Sequence, residues 1–189
     1  METAKLHKLF LECYSVSTDT RKIEKNDIFF ALKGDNFNGN IYAEIAINSG
    51  AKYAIIDEAE FNTSSQTILV DNVLEALQKL ATFHRNYLEI PIIALTGSNG
   101  KTTTKELINT VLSQKYKTTA TIGNLNNHIG VPLTLLSMTK DTEIGIVEMG
   151  ANHLKEIEFL CNITKPDYGY ITNFGKAHLE GFGGMEGVI

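Results

Sequence analysis

The sequence predicts an α/β chain of two domains: a small N-terminal α/β domain over residues 1–89 and a phosphate-loop domain with a mainly parallel sheet over residues 90–189. Three observations carry this. Short apolar runs alternate with segments of helical period along the chain, the order expected of parallel strands joined by helices. Pro91, behind Glu89-Ile90, stops a helical pattern just as a new apolar run begins. Between that run and the next helix stands Thr96-Gly-Ser-Asn-Gly-Lys-Thr-Thr103, the place of a loop that cradles phosphate.

The elements follow in order. Leu6, Leu9, Phe10 and Cys13 share helical spacing, and residues 28–32 form an apolar strand closed by Lys33-Gly34-Asp35. Residues 42–48 read as a helix ended by Gly50, and residues 53–56 and 68–70 as strands. Asp71 or Asn72 caps the next helix, which keeps Val73, Leu77, Leu80, Ala81 and His84 on one face, so His84 suits the boundary of a packed helix better than a ligand. In the second half, residues 92–95 are a strand, 101–115 a helix, 117–122 extended, 143–148 a buried strand, 155–161 helical and 168–172 the last strand. Ligands collect at the carboxyl ends of the strands in such sheets.

Composition excludes several classes. Against 22 acidic residues stand 17 Lys and Arg, a net charge of −5 with the lysines scattered, so nucleic acid is not an expected partner. Cys13 and Cys161 fit neither a disulfide framework nor a zinc set, which points to a reducing cytoplasm. The apolar run Leu9-Phe10-Leu11 is far too short for an export signal or a membrane span. A cytoplasmic monomer is the expectation.

The phosphate loop is the richest signal. Gly97 and Gly100 remove side chains where backbone must curl round an anion, so that N–H groups through Ser98 and Asn99 point inward. Lys101 adds a mobile positive charge, and a hydroxyl at Thr102 or Thr103 sits where it can cap the helix and ligate the magnesium that accompanies a nucleoside triphosphate. The loop is the shorter Thr-Gly-x-x-Gly-Lys-Thr variant, since Leu95 stands where the longer form has its first glycine.

Glu148, behind Ile144-Gly-Ile-Val147, puts a carboxylate at the carboxyl end of a core strand; it suits either a second metal ligand or a solvated strand end. Asn173, at the end of the last strand, is grouped with the nucleotide contacts. His178, just beyond it, can reach the same crevice as a second metal ligand or stay structural. Residues 123–134 read as a loop whose asparagines suit sugar hydroxyls and amides, or stabilise the turn itself. Thr164-Lys-Pro-Asp167 imitates a guanine-reading element, but it ends a helix and enters a strand, so it reads as a connecting turn broken by Pro166.

Together Thr96-Gly-Ser-Asn-Gly-Lys-Thr-Thr103, Gly123-Asn-Leu-Asn-Asn127, Ile129-Gly-Val-Pro-Leu-Thr134, Glu148-Met-Gly-Ala-Asn152 and His178-Leu-Glu180 resemble the Mur ligase family. Thr18-Asp-Thr-Arg-Lys22, residues 26–34 and Asn38-Gly39 resemble its small uridine-binding domain, so the likeness covers nearly the whole chain. The Asn-Leu-Asn-Asn and Glu-Met-Gly-Ala-Asn elements resemble the branch that uses D-alanyl-D-alanine. That resemblance implies ATP and Mg2+ as cofactors, with UDP-N-acetylmuramoyl-tripeptide and D-alanyl-D-alanine as substrates. ATP would phosphorylate a carboxylate, and an amine would attack the acyl phosphate. Lys101 would neutralise phosphate charge, Thr102 and Glu148 would hold magnesium, and His178 a second ion. Asp19, Thr20 and Arg21 match the uridine-diphosphate segment, although Asp19 also suits fixing the turn with Arg21 paired to it; Asn126 and Asn127 match positions facing the muramoyl-peptide. Family members run much longer, so the expectation is an N-terminal ligase fragment whose ATP-binding domain is truncated and which is inactive alone.

Overall fold

The computed structural model describes residues 1–175 and 179–188. The chain divides into two compact units, Met1–Phe83 and His84–Ile189.

The first unit opens with α1 (Thr3–Leu11), whose Leu6 and Phe10, four residues apart, turn inward. Then come β1 (Val16–Ser17), β2 (Ile28–Phe30), the small antiparallel pair β3 (Lys33–Gly34) and β4 (Phe37–Asn38), α2 (Ala43–Asn48), β5 (Tyr53–Ile56), β6 (Thr67–Leu69) and α3 (Val73–Leu88), where the division between units falls. Strands β1-β2-β5-β6 form a wholly parallel sheet. Because helices cover such a sheet on both faces, β2 is apolar without alternation, and Ile28, Phe29 and Phe30 are all buried. Each ring buried there stabilises the unit by roughly 3 kcal/mol. The small faces of α2, Ala43 and Ala46, let it pack closely on Phe29, Ala54 and Ile56. Asn72, rather than Asp71, caps α3, its Oδ1 accepting the Glu75 N–H at 2.9 Å.

The strand expected over 28–32 stops at Phe30. Gly39 explains why: its N–H donates to Leu32 O at 2.9 Å, and a Cβ there would strike the backbone of Ala31 and Leu32. Both the two-residue strand β1 and the β3–β4 pair were beyond the reach of periodicity, since two residues carry none.

The second unit contains β7 (Ile92–Thr96), α4 (Lys101–Leu112), β8 (Thr118–Ala120), α5 (Gly130–Leu136), β9 (Ile144–Glu148), α6 (Glu156–Thr164), β10 (Tyr168–Ile171) and the one-turn helices α7 (Leu179–Phe182) and α8 (Met185–Val188). Its sheet is also wholly parallel, in the order β10-β7-β9-β8. From β7 the chain crosses to β8 on one side, and from β9 to β10 on the other. Right-handed crossovers therefore put α4 and α6 on opposite faces and open a crevice at the carboxyl ends of β7 and β9, which pair Leu95 with Glu148.

The segment expected as a loop over 123–134 is corrected from Gly130 onward, where α5 begins. Asn127 Oδ1 accepts the N–H groups of Ile129 (3.0 Å) and Gly130 (2.9 Å), which starts the helix. Pro132 lies in the first turn, where a missing N–H removes no helical bond.

His84, on α3, is 3 % exposed, and its Nε2 lies 2.9 Å from Met138 O. Burial holds its pKa below the ordinary histidine value. The unfolded chain takes up that proton at about pH 6.5, so the contribution to stability is full above that pH and declines as pH falls toward the lowered folded value. Melting between pH 7.5 and 5.5 is expected to show a His84-dependent loss of at most about 1.4 kcal/mol per pH unit, absent in His84→Gln. A slope that survives this substitution would contradict the assignment. Among the described residues no helix is long and apolar enough to cross a membrane.

Candidate functional site at the phosphate loop

The loop between β7 and α4 needs its glycines. Gly97 has φ 136° and Gly100 φ 77°, and a Cβ on Gly97 would run into Thr172 Oγ1 and the Asn173 nitrogen. That crowding reflects a clasp from the segment after β10. Asn173 O accepts the Ser98 N–H (3.1 Å), and its Oδ1 accepts the Asn99 N–H (3.2 Å). Thr172 Oγ1 (2.7 Å) and Asn173 Nδ2 (3.1 Å) both donate to Asn99 O. Ser98 and Asn99 therefore turn their amides to Asn173, while the N–H groups at the start of α4 are the ones without an intrahelical partner. An anion bound here sits on those amides and on the positive end of the helix dipole.

Lys101 folds over the loop, its Nζ donating to Gly97 O at 2.7 Å. Of the two candidate hydroxyls, both on exposed residues, it is Thr102 Oγ1 that reaches Glu148 Oε1, at 3.3 Å. Asn126 Nδ2 donates to the same Glu148 oxygen at 2.9 Å. Glu148 is 1 % exposed, and its other oxygen, Oε2, is buried with no hydrogen-bond partner. A buried carboxylate oxygen without a donor is costly, and a cation beside it removes that cost. The donors fit magnesium, which takes hard oxygen ligands and keeps several waters. Among the described residues no three His, Cys, Asp and Glu side chains are grouped to hold a metal ion. His178 lies outside the described residues.

Two cavities adjoin the loop. One, of about 660 Å³, is lined by amides and charges including Asn124, Asn126, Asn127, Asn152 and Lys155. The other, of about 360 Å³, lies against Gly97, Ser98, Ile171 and Phe174. Lys101 borders both. Asn126 and Asn127 thus combine duties: they line the polar cavity, while Asn126 holds Glu148 and Asn127 starts α5.

Asp19, Thr20 and Arg21 belong to the first unit. Asp19 Oδ1 accepts the Arg21 N–H (3.0 Å) and Nε–H (2.9 Å), and its Oδ2 accepts from Nη2 at 2.7 Å. Thr20 begins the short turn that Asp19 caps. Of the two roles open to Asp19, the geometry shows the turn-fixing one, and the Arg21 guanidinium holds its carboxyl down to about 2.

Thr164-Lys-Pro-Asp167 is a clasp. Lys165, at φ 43°, ends α6, and Asp167 Oδ2 accepts both the Ile92 N–H (2.7 Å) and Arg85 Nη2 (2.7 Å). Arg85 Nε donates to Thr164 O (3.2 Å) and Lys165 O (3.1 Å). The element fastens α6 and β10 to the start of β7.

Sequence reasoning passed over Arg85, Lys105 and Thr121. Lys105 is fully buried on α4 while Leu107 is 62 % and Val111 69 % exposed, the reverse of hydropathy, so periodicity could not have found it. For Arg85 and Thr121 no signal stood in the chain, because the partners that give them a role, Asp167 for one and Lys105 and Glu148 for the other, lie far away in sequence.

The family model for the Mur ligase middle domain matches residues 95–189, and that for the Mur ligase family catalytic domain matches residues 12–85. The UDP-N-acetylmuramoyl-tripeptide--D-alanyl-D-alanine ligase of Bacillus subtilis is 43 % identical over 177 residues, 93 % of this chain and 39 % of the relative. That of Escherichia coli is 41 % identical, across 92 % of this chain and 38 % of the relative. Among solved structures, MurF from Acinetobacter baumannii superposes with TM-score 0.86 at 34 % identity, covering 98 % of this chain and 44 % of that one. The MurF ligase of Thermotoga maritima, in complex with ADP, gives 0.84 at 34 % identity, covering 95 % and 42 %. This chain spans about two fifths of the length of the curated relatives it matches. With a family model covering half of its residues and the phosphate loop, Glu148 and parallel sheet in register with one another, the chain belongs to the Mur ligase family.

Proposed function

We propose that the protein carrying this chain is an ATP-dependent ligase that joins D-alanyl-D-alanine to UDP-N-acetylmuramoyl-tripeptide in peptidoglycan precursor synthesis. The observation that carries the reading is Glu148, whose Oε1 Thr102 meets at the head of the phosphate-loop helix and whose Oε2 is buried and partnerless. The relatives' names supply the substrates. Magnesium, held by Thr102 Oγ1 and Glu148, would supply positive charge against the triphosphate.

The chain's own residues do the rest. N–H groups at the head of α4 hold the phosphates, and Lys101 leaves Gly97 O to lie along them. Asn126, Asn127 and Lys155 line the polar cavity where the muramoyl-peptide carboxylate would lie. The γ-phosphoryl group passes to that carboxylate oxygen and ADP leaves. The dipeptide amine then forms the C–N bond, losing a proton as phosphate departs. No protein nucleophile is required; positioning and charge neutralisation carry the rate. Residues 1–89 would hold the uridine end through the Asp19–Arg21 segment, and His178 is assigned a second ion on the resemblance alone. Two unpaired thiols, Cys13 and Cys161, accord with the cytoplasm, and a monomer suffices for this chemistry.

Incubating the protein with ATP, Mg2+, UDP-N-acetylmuramoyl-tripeptide and D-alanyl-D-alanine is expected to yield the pentapeptide and one ADP per bond. Product with a single amino acid instead of the dipeptide would move the protein to another branch of the family. Calorimetry on this chain is expected to show binding of the nucleotide-peptide and of ATP, with GTP weaker. In hydrogen exchange, UDP is expected to protect residues 1–89. Protection confined to the phosphate-loop half would place the uridine site in the wrong domain.

A further inference from the structure

Lys105 is fully buried. Its Nζ donates to Thr121 O at 2.6 Å and meets Glu106 Oε1, on an exposed side chain, at 2.8 Å. Burying an ammonium is costly before its partners compensate, and an aliphatic side chain would fill the same space without that cost. Leu107 and Val111 on the same helix face solvent, so α4 has apolar residues and does not use them here. Packing therefore does not explain the lysine.

Its partner does. Thr121 lies just past β8, a three-residue strand at the edge of the sheet with a ladder on one side only. All three polar groups of Thr121 are engaged: its N–H donates to Ile146 O (2.9 Å), its carbonyl accepts from Lys105, and its Oγ1 accepts the Glu148 N–H (2.9 Å). Lys105 also lies one turn beyond Thr102 on α4. One helix thus carries both the hydroxyl that touches the Glu148 carboxylate and the ammonium that fixes the residue holding the Glu148 backbone.

We propose that Lys105 is a positioning residue, which through Thr121 fixes Glu148 at the distance from Thr102 that a magnesium ion requires. This rests on the metal reading of Glu148, and the test separates the two. ATP affinity of the 189-residue chain is measured by NMR titration with and without Mg2+, and the ratio of the two affinities is the readout, alongside the melting temperature. Glu148→Gln sets the floor. Lys105→Met and Thr121→Val are expected to lower the ratio roughly ten- to a hundredfold, as loss of a group that orients a metal ligand does, while Thr121→Ser keeps it. A lower melting temperature with the wild-type ratio in Lys105→Met means a merely structural lysine and overturns the proposal. Should that variant fail to fold, Thr121→Val decides, and an unchanged ratio there overturns it equally. A ratio untouched by Glu148→Gln removes the metal reading itself, and this inference with it. A collapse in Glu148→Gln alone removes only the role of Lys105.

Discussion

Lys101→Ala in the protein that carries this chain is expected to abolish ligation while leaving the fold intact. The side chain is half-buried and its Nζ donates to Gly97 O at 2.7 Å, so truncation leaves no buried charge and makes no core cavity. The stability change should be within about 1 kcal/mol, the worth of a neutral-acceptor hydrogen bond at a surface loop. The transition state loses more. A positioned cation on a transferring phosphoryl group is worth on the order of 3 kcal/mol, or more than a hundredfold in rate. Because Lys101 borders both cavities, the loss should appear in kcat as well as in ATP binding. Steady-state kinetics beside a thermal melt checks this; near-normal turnover defeats the phosphate-loop assignment.

Arg85→Ala is expected to destabilise the second unit by roughly 3 kcal/mol, since hydrogen bonds to a charged group are worth more than neutral ones and their acceptors are left behind. The guanidinium serves Thr164 O, Lys165 O and Asp167 Oδ2 at once, at 3.2, 3.1 and 2.7 Å. Asp167 keeps the Ile92 N–H as a partner and is nearly half exposed, so the penalty stays below that of a fully buried broken pair. Denaturant unfolding reads it directly. An effect under about 1 kcal/mol would show that solvent replaces the clasp and that Thr164-Lys-Pro-Asp167 is held by the backbone alone.

The α/β alternation, the phosphate loop and Glu148 at a strand end were all legible in the chain. Each rests on local information: apolar period, glycine at a left-handed turn, a carboxylate one residue past a buried run. The proline that ends one helical pattern and the asparagines of residues 123–127 were equally visible, but their consequences were not. Residues 130–134 read as loop until Asn127 is seen accepting the first N–H groups of the helix that holds Pro132. That Asp19 fixes its own turn shows only once its oxygens are found on Arg21.

What the sequence by itself determined, then, is which residues are candidates for the chemistry and on which kind of element they stand, because side-chain type and short-range spacing are properties of the chain. What only the tertiary structure decided is who holds them: Asn173 clasping Asn99, Arg85 tying α6 and β10 to β7, and Lys105 reaching Thr121. Those contacts join residues 74, 79, 82 and 16 positions apart. They form because a buried polar group must find a partner wherever the fold brings one, and nothing in local spacing records where that is.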